Sequence, residues 1–145
     1  MLTSLIIPCY NEEAVLPLLW CSLREVTEEL REKSEFEFIF VDDGSKDGTL
    51  NRLKELAAED GRVTYLSFSR NFGKEAAMYA GLCNARGDYA AIMDADMQDP
   101  PSLLPEMFRL MEQGYDSVAA RRVSRAGEPK IRSLGARPVS YTHLR

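Results

Sequence analysis

The sequence predicts an α/β domain built on a mainly parallel sheet flanked by helices. Three observations predict it. Short apolar runs, rich in β-branched and aromatic residues, alternate with longer segments whose apolar residues recur every three to four positions. That alternation has the rhythm of successive strand–helix–strand units, whose strands run parallel. Polar clusters also follow four consecutive predicted strands, at the edge where open α/β sheets hold their ligands.

The elements follow in order. Leu2–Pro8 is a short strand. Val15, Leu19, Leu23, Val26 and Leu30 fall on one helical face. Phe36–Val41 is a second strand ending in two aspartates. Leu50, Leu53 and Leu56 mark a second helix, started by the turn at Asp47-Gly48-Thr49. Val63–Phe68 is a third strand, and Lys74–Ala85, rich in Ala and Met, a third helix. Tyr89–Met93 is a fourth strand, again ending in aspartates. Pro100-Pro101-Ser102 opens a fourth helix running through Met111, Gly114 ends it, and Ser117–Ala120 reads as a fifth strand.

Composition narrows the class. The 145 residues suit one domain, and 45% hydrophobic with 28% charged content is that of an ordinary globular chain rather than a disordered or fibrous one. The longest charge-free runs are Met1–Asn11, eleven residues, and Ala14–Leu23 and Ala76–Ala85, ten residues each. A spanning helix needs about 20 apolar residues, so none is expected here. The N-terminus lacks the basic region of a cleaved signal. Charge is uneven: residues 1–120 carry a net −11 and residues 121–145 a net +6. An acidic body with a basic tail does not suggest a duplex-wide nucleic-acid groove. It is compatible with a metal site in the body and a phosphate- or membrane-facing tail, or with a merely solvated one. Cys9, Cys21 and Cys83 are an odd number at scattered spacing, which fits reduced thiols in a cytoplasmic chain.

The strand-end clusters carry the chemistry. Asp94-Ala95-Asp96 places two carboxylates on a chain leaving the sheet. Such hard oxygen ligands suit Mg²⁺ or Mn²⁺, and Gln98 could add a neutral oxygen. The plainer reading is a turn whose aspartates cap the next helix. Asp43 can accept from a ribose hydroxyl or a base N–H, while Asp47 and Thr49 read as structural caps. Tyr10 offers a ring face to a nucleobase and Glu12 an acceptor, with Asn11 as a helix cap and Glu13 facing the helix dipole as the bland alternative. Gly73-Lys74 lacks the G-x-x-x-x-G-K spacing of a phosphate loop and is set aside. Arg70 faces either a diphosphate or a local acid. Arg121, Arg122 and Arg125 follow the predicted fifth strand, and a guanidinium there suits a diphosphate leaving group. Basic residues on an amphipathic surface helix are the competing reading for Arg125, Lys130 and Arg132. The single histidine, His143, is near the terminus and makes a poor general base.

Four segments now carry a resemblance: P-C-Y-N-E-E at 8–13, V-D-D-G-S-K-D-G-T at 41–49, R-N-F-G-K at 70–74 and D-A-D-M-Q-D-P-P at 94–101. In order and spacing they resemble the family 2 glycosyltransferases. Together with R-x-x-R-x-G-E at 122–128, they resemble the subgroup of bacterial polyprenyl-phosphate hexose transferases, similar to dolichyl-phosphate mannose synthase. The resemblance implies a GT-A, Rossmann-like fold. Residues 1–128 would be the nucleotide-sugar-binding part and 129–145 a basic tail. It implies that Pro8, Tyr10, Glu12, Val41 and Asp43 line the nucleoside pocket and that Asp94 and Ala95 touch the nucleotide. Asp96 and Gln98 would hold Mg²⁺ or Mn²⁺, and Arg122 would reach the diphosphate, making Asp96 and Arg122 the catalytic candidates.

The implied reaction passes a hexose from a UDP- or GDP-sugar to a polyprenyl phosphate, with inversion, at the inner face of the cytoplasmic membrane. No nucleic-acid partner is implied. The family's domain is longer than this chain, so the fold is expected to be incomplete at its C-terminus. Residues 137–145 match nothing expected there and read as non-native sequence. Two alternatives stand beside this reading: a nucleotide-binding domain with no activity by itself, and a family 2 transferase with a saccharide acceptor. A phosphoryl-transfer domain with Asp94 as nucleophile is a poor fit, because Met97-Gln98 replaces the expected Gly-Thr.

Overall fold

The computed structural model describes residues 1–120. The described residues fall into two compact units, dividing after Ser102. The first unit alternates strand and helix: β1 (Leu2–Cys9), α1 (Leu16–Glu29), β2 (Glu35–Asp42), α2 (Thr49–Glu59), β3 (Val63–Ser67), α3 (Lys74–Asn84) and β4 (Tyr89–Ile92). The strands form one sheet in the order β3-β2-β1-β4. Each neighbouring pair is parallel, with Ile6 opposite Ile39 and Ile92, and Phe40 opposite Tyr65. The predicted doubly covered parallel sheet is therefore present.

Period-two geometry explains why β2 is buried along nearly its whole length. Phe38 and Phe40 point to one face, where Trp20 of α1 meets both rings edge-on at 5.0 and 6.4 Å. Ile39 and Val41 point to the other face and form a core with Ile6 and with Ala77 of α3. α3 comes close to the sheet because Gly81 has no side chain: a Cβ there would lie 2.3 Å from Cγ2 of Ile6. The far end of the sheet from the strand-end clusters is tied by polar groups. Buried Glu37 accepts from the Ser4 hydroxyl (2.7 Å) and from the Arg86 guanidinium (2.7 and 2.9 Å).

In the second unit, a 3₁₀ turn ending at Leu103 leads into α4 (Leu104–Glu112), which buries Leu104 and Phe108. Pro105 sits in its first turn, where a missing N–H costs nothing. Two expectations need correction. Ser117–Ala120 forms no strand and is mostly exposed, consistent with its short, alanine-containing sequence. Asn11 and Glu13 are not helix-end residues of α1, whose N-cap is Val15. They bond to the β2–α2 loop instead.

Candidate functional site

Because every strand of the sheet is parallel, the loops after β1, β2, β3 and β4 emerge at one edge. The first two are laced together. The Asn11 N–H donates to Ser45 Oγ (2.9 Å), and Asn11 Oδ1 accepts from the Lys46 N–H (2.8 Å). The Glu12 N–H donates to Thr49 Oγ1 (2.8 Å) and the Glu13 N–H to Asp47 Oδ2 (3.2 Å), while Glu13 Oε2 accepts from the Gly48 N–H (2.9 Å). Asp47 and Thr49 are thus structural, but not as the expected caps: the N-cap of α2 is Gly48, and the two side chains hold the first loop instead. Asp42 is buried and accepts from the Ser45 N–H and the Ser67 hydroxyl, joining the second and third loops.

Asp43 is the next link. It is 3% exposed, and its two oxygens accept the Phe72 and Gly73 N–H groups at 2.7 and 3.0 Å. Those amides precede α3, so a carboxylate meets the helix just before its N-terminus, where negative charge is favoured. Gly44, beside it, has φ +68° and lies against the backbone of Arg70 and Asn71. Arg70 stacks its guanidinium on the Phe72 ring, 4.4 Å from the centroid.

These loops frame a cleft of about 350 Å³, within the size range of small-molecule sites. Pro8, Tyr10, Glu12, Asp43, Asp94, Ala95 and Asp96 all line it, and so do Cys9, Asn71, Gly73 and Lys74. The structure thus brings together most of the residues singled out in the sequence. Val41 is the exception within the sheet: it is fully buried in the α3-facing core and packs rather than lines. Gln98 is exposed and is not among the lining residues. Arg122 and His143, the basic tail and residues 137–145 lie outside the described residues.

The cleft is acidic. Burial raises the Glu12 carboxyl above its ordinary range, and the neighbouring charges of Asp96, Asp47 and Asp94 raise it further. Asp94 is paired with Lys74, whose Nζ lies 2.5 Å from the carboxylate. Asp96 is exposed, and its Oδ1 accepts the Gln98 N–H at 3.0 Å across a turn in which Met97 has φ +60°. Buried Cys9 is no nucleophile: desolvation, reinforced by Glu12 and Asp42, pushes its thiol far up and keeps it protonated.

A divalent cation fits this donor set in one way. Among the described residues, no group of three acidic, His or Cys side chains is placed to hold a metal alone. Mg²⁺ and its analogues in nucleotide sites take one or two carboxylates and complete their shell with water and substrate phosphates. Asp94 and Asp96 match that sparse pattern.

Sequence reasoning missed Lys74 as a cleft residue. Gly73-Lys74 lacks phosphate-loop spacing, so that motif does not mark it. The available signal was that Lys74 opens a helix directly after a strand-end cluster.

Taken together, an open parallel sheet with an acidic, lysine-lined cleft at its carboxyl edge defines an α/β domain with its candidate ligand site at the strand ends. The chain belongs to glycosyl transferase family 2, whose profile matches residues 4–144. It is 41% identical over 132 residues to the prophage bactoprenol glucosyl transferase homolog of Escherichia coli, covering 91% of this chain and 42% of that protein. It is 39% identical, with the same coverage, to the bactoprenol glucosyl transferase of Shigella phage SfV. The chain thus spans about two-fifths of the length of the curated relatives it matches.

Solved structures agree on the fold. The crystal structure of S. aureus TarS 1-349 matches with a TM-score of 0.63 at 24% identity, over 86% of this chain and 39% of that one. The mannosyltransferase PcManGT from Pyrobaculum calidifontis, in complex with GDP-Man and Mn²⁺, matches with a TM-score of 0.56 at 26% identity, over 66% and 27%. The expected GT-A fold is therefore correct. No helix among the described residues is long and apolar enough to cross a membrane.

Proposed function

We propose that this chain is the donor-binding part of a glycosyltransferase that passes a hexose from a UDP- or GDP-sugar to a polyprenyl phosphate, with inversion, at the inner face of the cytoplasmic membrane. The observation that carries the reading is the convergence of Tyr10, Glu12, Asp94, Asp96 and Lys74 on one cleft in a family 2 chain. The acceptor rests on the similarity to bactoprenol glucosyl transferases. The donor class rests on similar structures solved in complex with GDP-Man and Mn²⁺, or with UDP.

In this reading Tyr10, 41% exposed, offers its ring to the base, and Pro8 forms the wall beside it. Glu12 accepts from the nucleoside. Val41 supports that wall from within the core, and Asp43 shapes it by fixing the third loop. Asp94 and Ala95 face the nucleotide, Asp94 by way of the divalent cation it would share with Asp96. Asp96, with Gln98, holds Mg²⁺ or Mn²⁺, which supplies charge neutralisation for the departing diphosphate. Arg122 adds a guanidinium to the same diphosphate.

A lipid phosphate is already an oxyanion at neutral pH. Its oxygen forms the new bond at the anomeric carbon while the bond to the diphosphate breaks on the opposite face. No proton needs removal, so no general base is required, and catalysis rests on in-line positioning and leaving-group stabilisation.

Transfer itself is the test. Incubating the chain with radiolabelled UDP- or GDP-hexoses, Mn²⁺ and a polyprenyl phosphate should move label into the organic phase. Label appearing only on a saccharide acceptor would contradict the acceptor assignment. Donor binding without transfer to any acceptor would assign the chain to binding alone.

A further inference from the structure

Lys74 is the one cation lining the cleft among the described residues, against the carboxylates of Glu12, Asp43, Asp94 and Asp96. Its side chain is 55% exposed, and its Nζ lies 2.5 Å from Asp94. Its backbone is held: Lys74 is the first residue of α3, and Asp43 clamps the two preceding amides. A fixed backbone carrying a flexible four-carbon stem with a three-donor head can exchange partners without moving the helix.

We infer that Lys74 is the resident cation of the cleft: it occupies Asp94 until a divalent cation takes that carboxylate, and it then turns to the diphosphate of the arriving donor. The inference rests on the nucleotide-sugar reading above. Its consequence is a coupling: the divalent cation and the nucleotide bind well only together. A diphosphate entering alone meets a surplus of carboxylates. A divalent cation entering alone must compete with the Lys74 ammonium for Asp94. When both arrive, Asp94 passes to the cation, and the released ammonium gains a phosphate partner, a stronger charge-assisted contact than the exposed pair it left. No covalent bond changes in the exchange.

The test compares the full chain with Lys74→Met, Lys74→Arg and, as a control for net charge, Lys46→Met. Two titrations are run: Mn²⁺ alone, read by electron paramagnetic resonance, and UDP or GDP with saturating Mn²⁺, read by calorimetry. Lys74→Met is expected to bind Mn²⁺ alone about twofold to fivefold more tightly, the worth of an exposed ion pair. It is expected to bind the nucleoside diphosphate with Mn²⁺ about tenfold more weakly, the worth of a hydrogen bond to a charged group. Lys74→Arg should restore much of the nucleotide affinity, and Lys46→Met should match the unsubstituted chain.

Unchanged affinity of Lys74→Met for Mn²⁺ alone overturns the inference by itself, as does an equal gain in Lys46→Met. If the unsubstituted chain binds no nucleoside diphosphate even with Mn²⁺, the donor-binding reading fails. The Mn²⁺ titration then still decides whether Lys74 guards Asp94.

Discussion

Asp43 shows how one carboxylate organises a site from beneath it. It lines the cleft, yet both oxygens are already accepting from the Phe72 and Gly73 amides. An asparagine there keeps the shape but replaces one acceptor with a donor that faces an N–H. Asp43→Asn should therefore destabilise the fold by about 1–3 kcal/mol in urea unfolding, the cost of one unmade bond in a partly buried place. It should also weaken nucleotide binding by loosening the backbone that carries Lys74. A variant of unchanged stability would mean that water replaces those bonds at no cost. In the sequence, Asp43 was legible as a polar group at a strand end. Its partners were not, because the amides that reach it lie 29 and 30 residues away in the chain. Val41, for the related reason of period two, has its side chain in the α3-facing core.

At the scale of elements, the loops are built from side chains bonding to backbone rather than from regular structure. Gly44 is where this is tightest. Its φ of +68° is disfavoured for other residues, and an added Cβ would fall 2.3 Å from the Arg70 carbonyl carbon. Gly44→Ala should cost at least about 1–3 kcal/mol of stability from the backbone conformation alone. It should also push the third loop away from the cleft, a displacement that amide chemical shifts of residues 70–74 would report. Shifts confined to residues 43–45 would argue against that packing. The strands and helices themselves were readable, because each carries its own period and the sheet buries both faces of β2. The fifth strand was not: pattern alone cannot show that a short apolar segment such as Ser117–Ala120 finds an edge to pair with. The link of Asn11 and Glu13 to the second loop was equally hidden, since both residues also suit a helix start.

For the whole molecule, the two ends of the sheet respond to pH through opposite shifts. Burial by itself would raise the Glu37 carboxyl, but the Ser4 hydroxyl and Arg86 bonds outweigh it and hold it below the ordinary value. Its ionised form is favoured in the fold. The stability it contributes is present above the carboxylate range and is lost as pH falls through its lowered folded value. Glu12 has the opposite sign: its raised carboxyl contributes stability at low pH that is lost as pH rises through its folded value. Glu37→Gln should lower stability at pH 7 by about 1–3 kcal/mol and flatten the acid limb of the stability curve. An acid limb as steep as that of the unsubstituted chain would show that other carboxylates control it. The acidic body evident in the composition thus includes carboxylates tied into the scaffold, such as Glu37 and Asp42, those at the cleft, such as Glu12, Asp94 and Asp96, and exposed helix-surface ones such as Glu28 and Glu106.

The central claim is that the cleft binds a nucleotide donor with a divalent cation held by Asp96. Calorimetric titration of UDP and of GDP into the full chain, with Mn²⁺ and with EDTA, tests it most directly, with Asp96→Ala as the paired variant. One of the two nucleotides should bind about tenfold or more tightly with Mn²⁺ than with EDTA, and Asp96→Ala should remove that difference. Binding of neither nucleotide in Mn²⁺, or equal binding in EDTA and in the variant, would contradict the account.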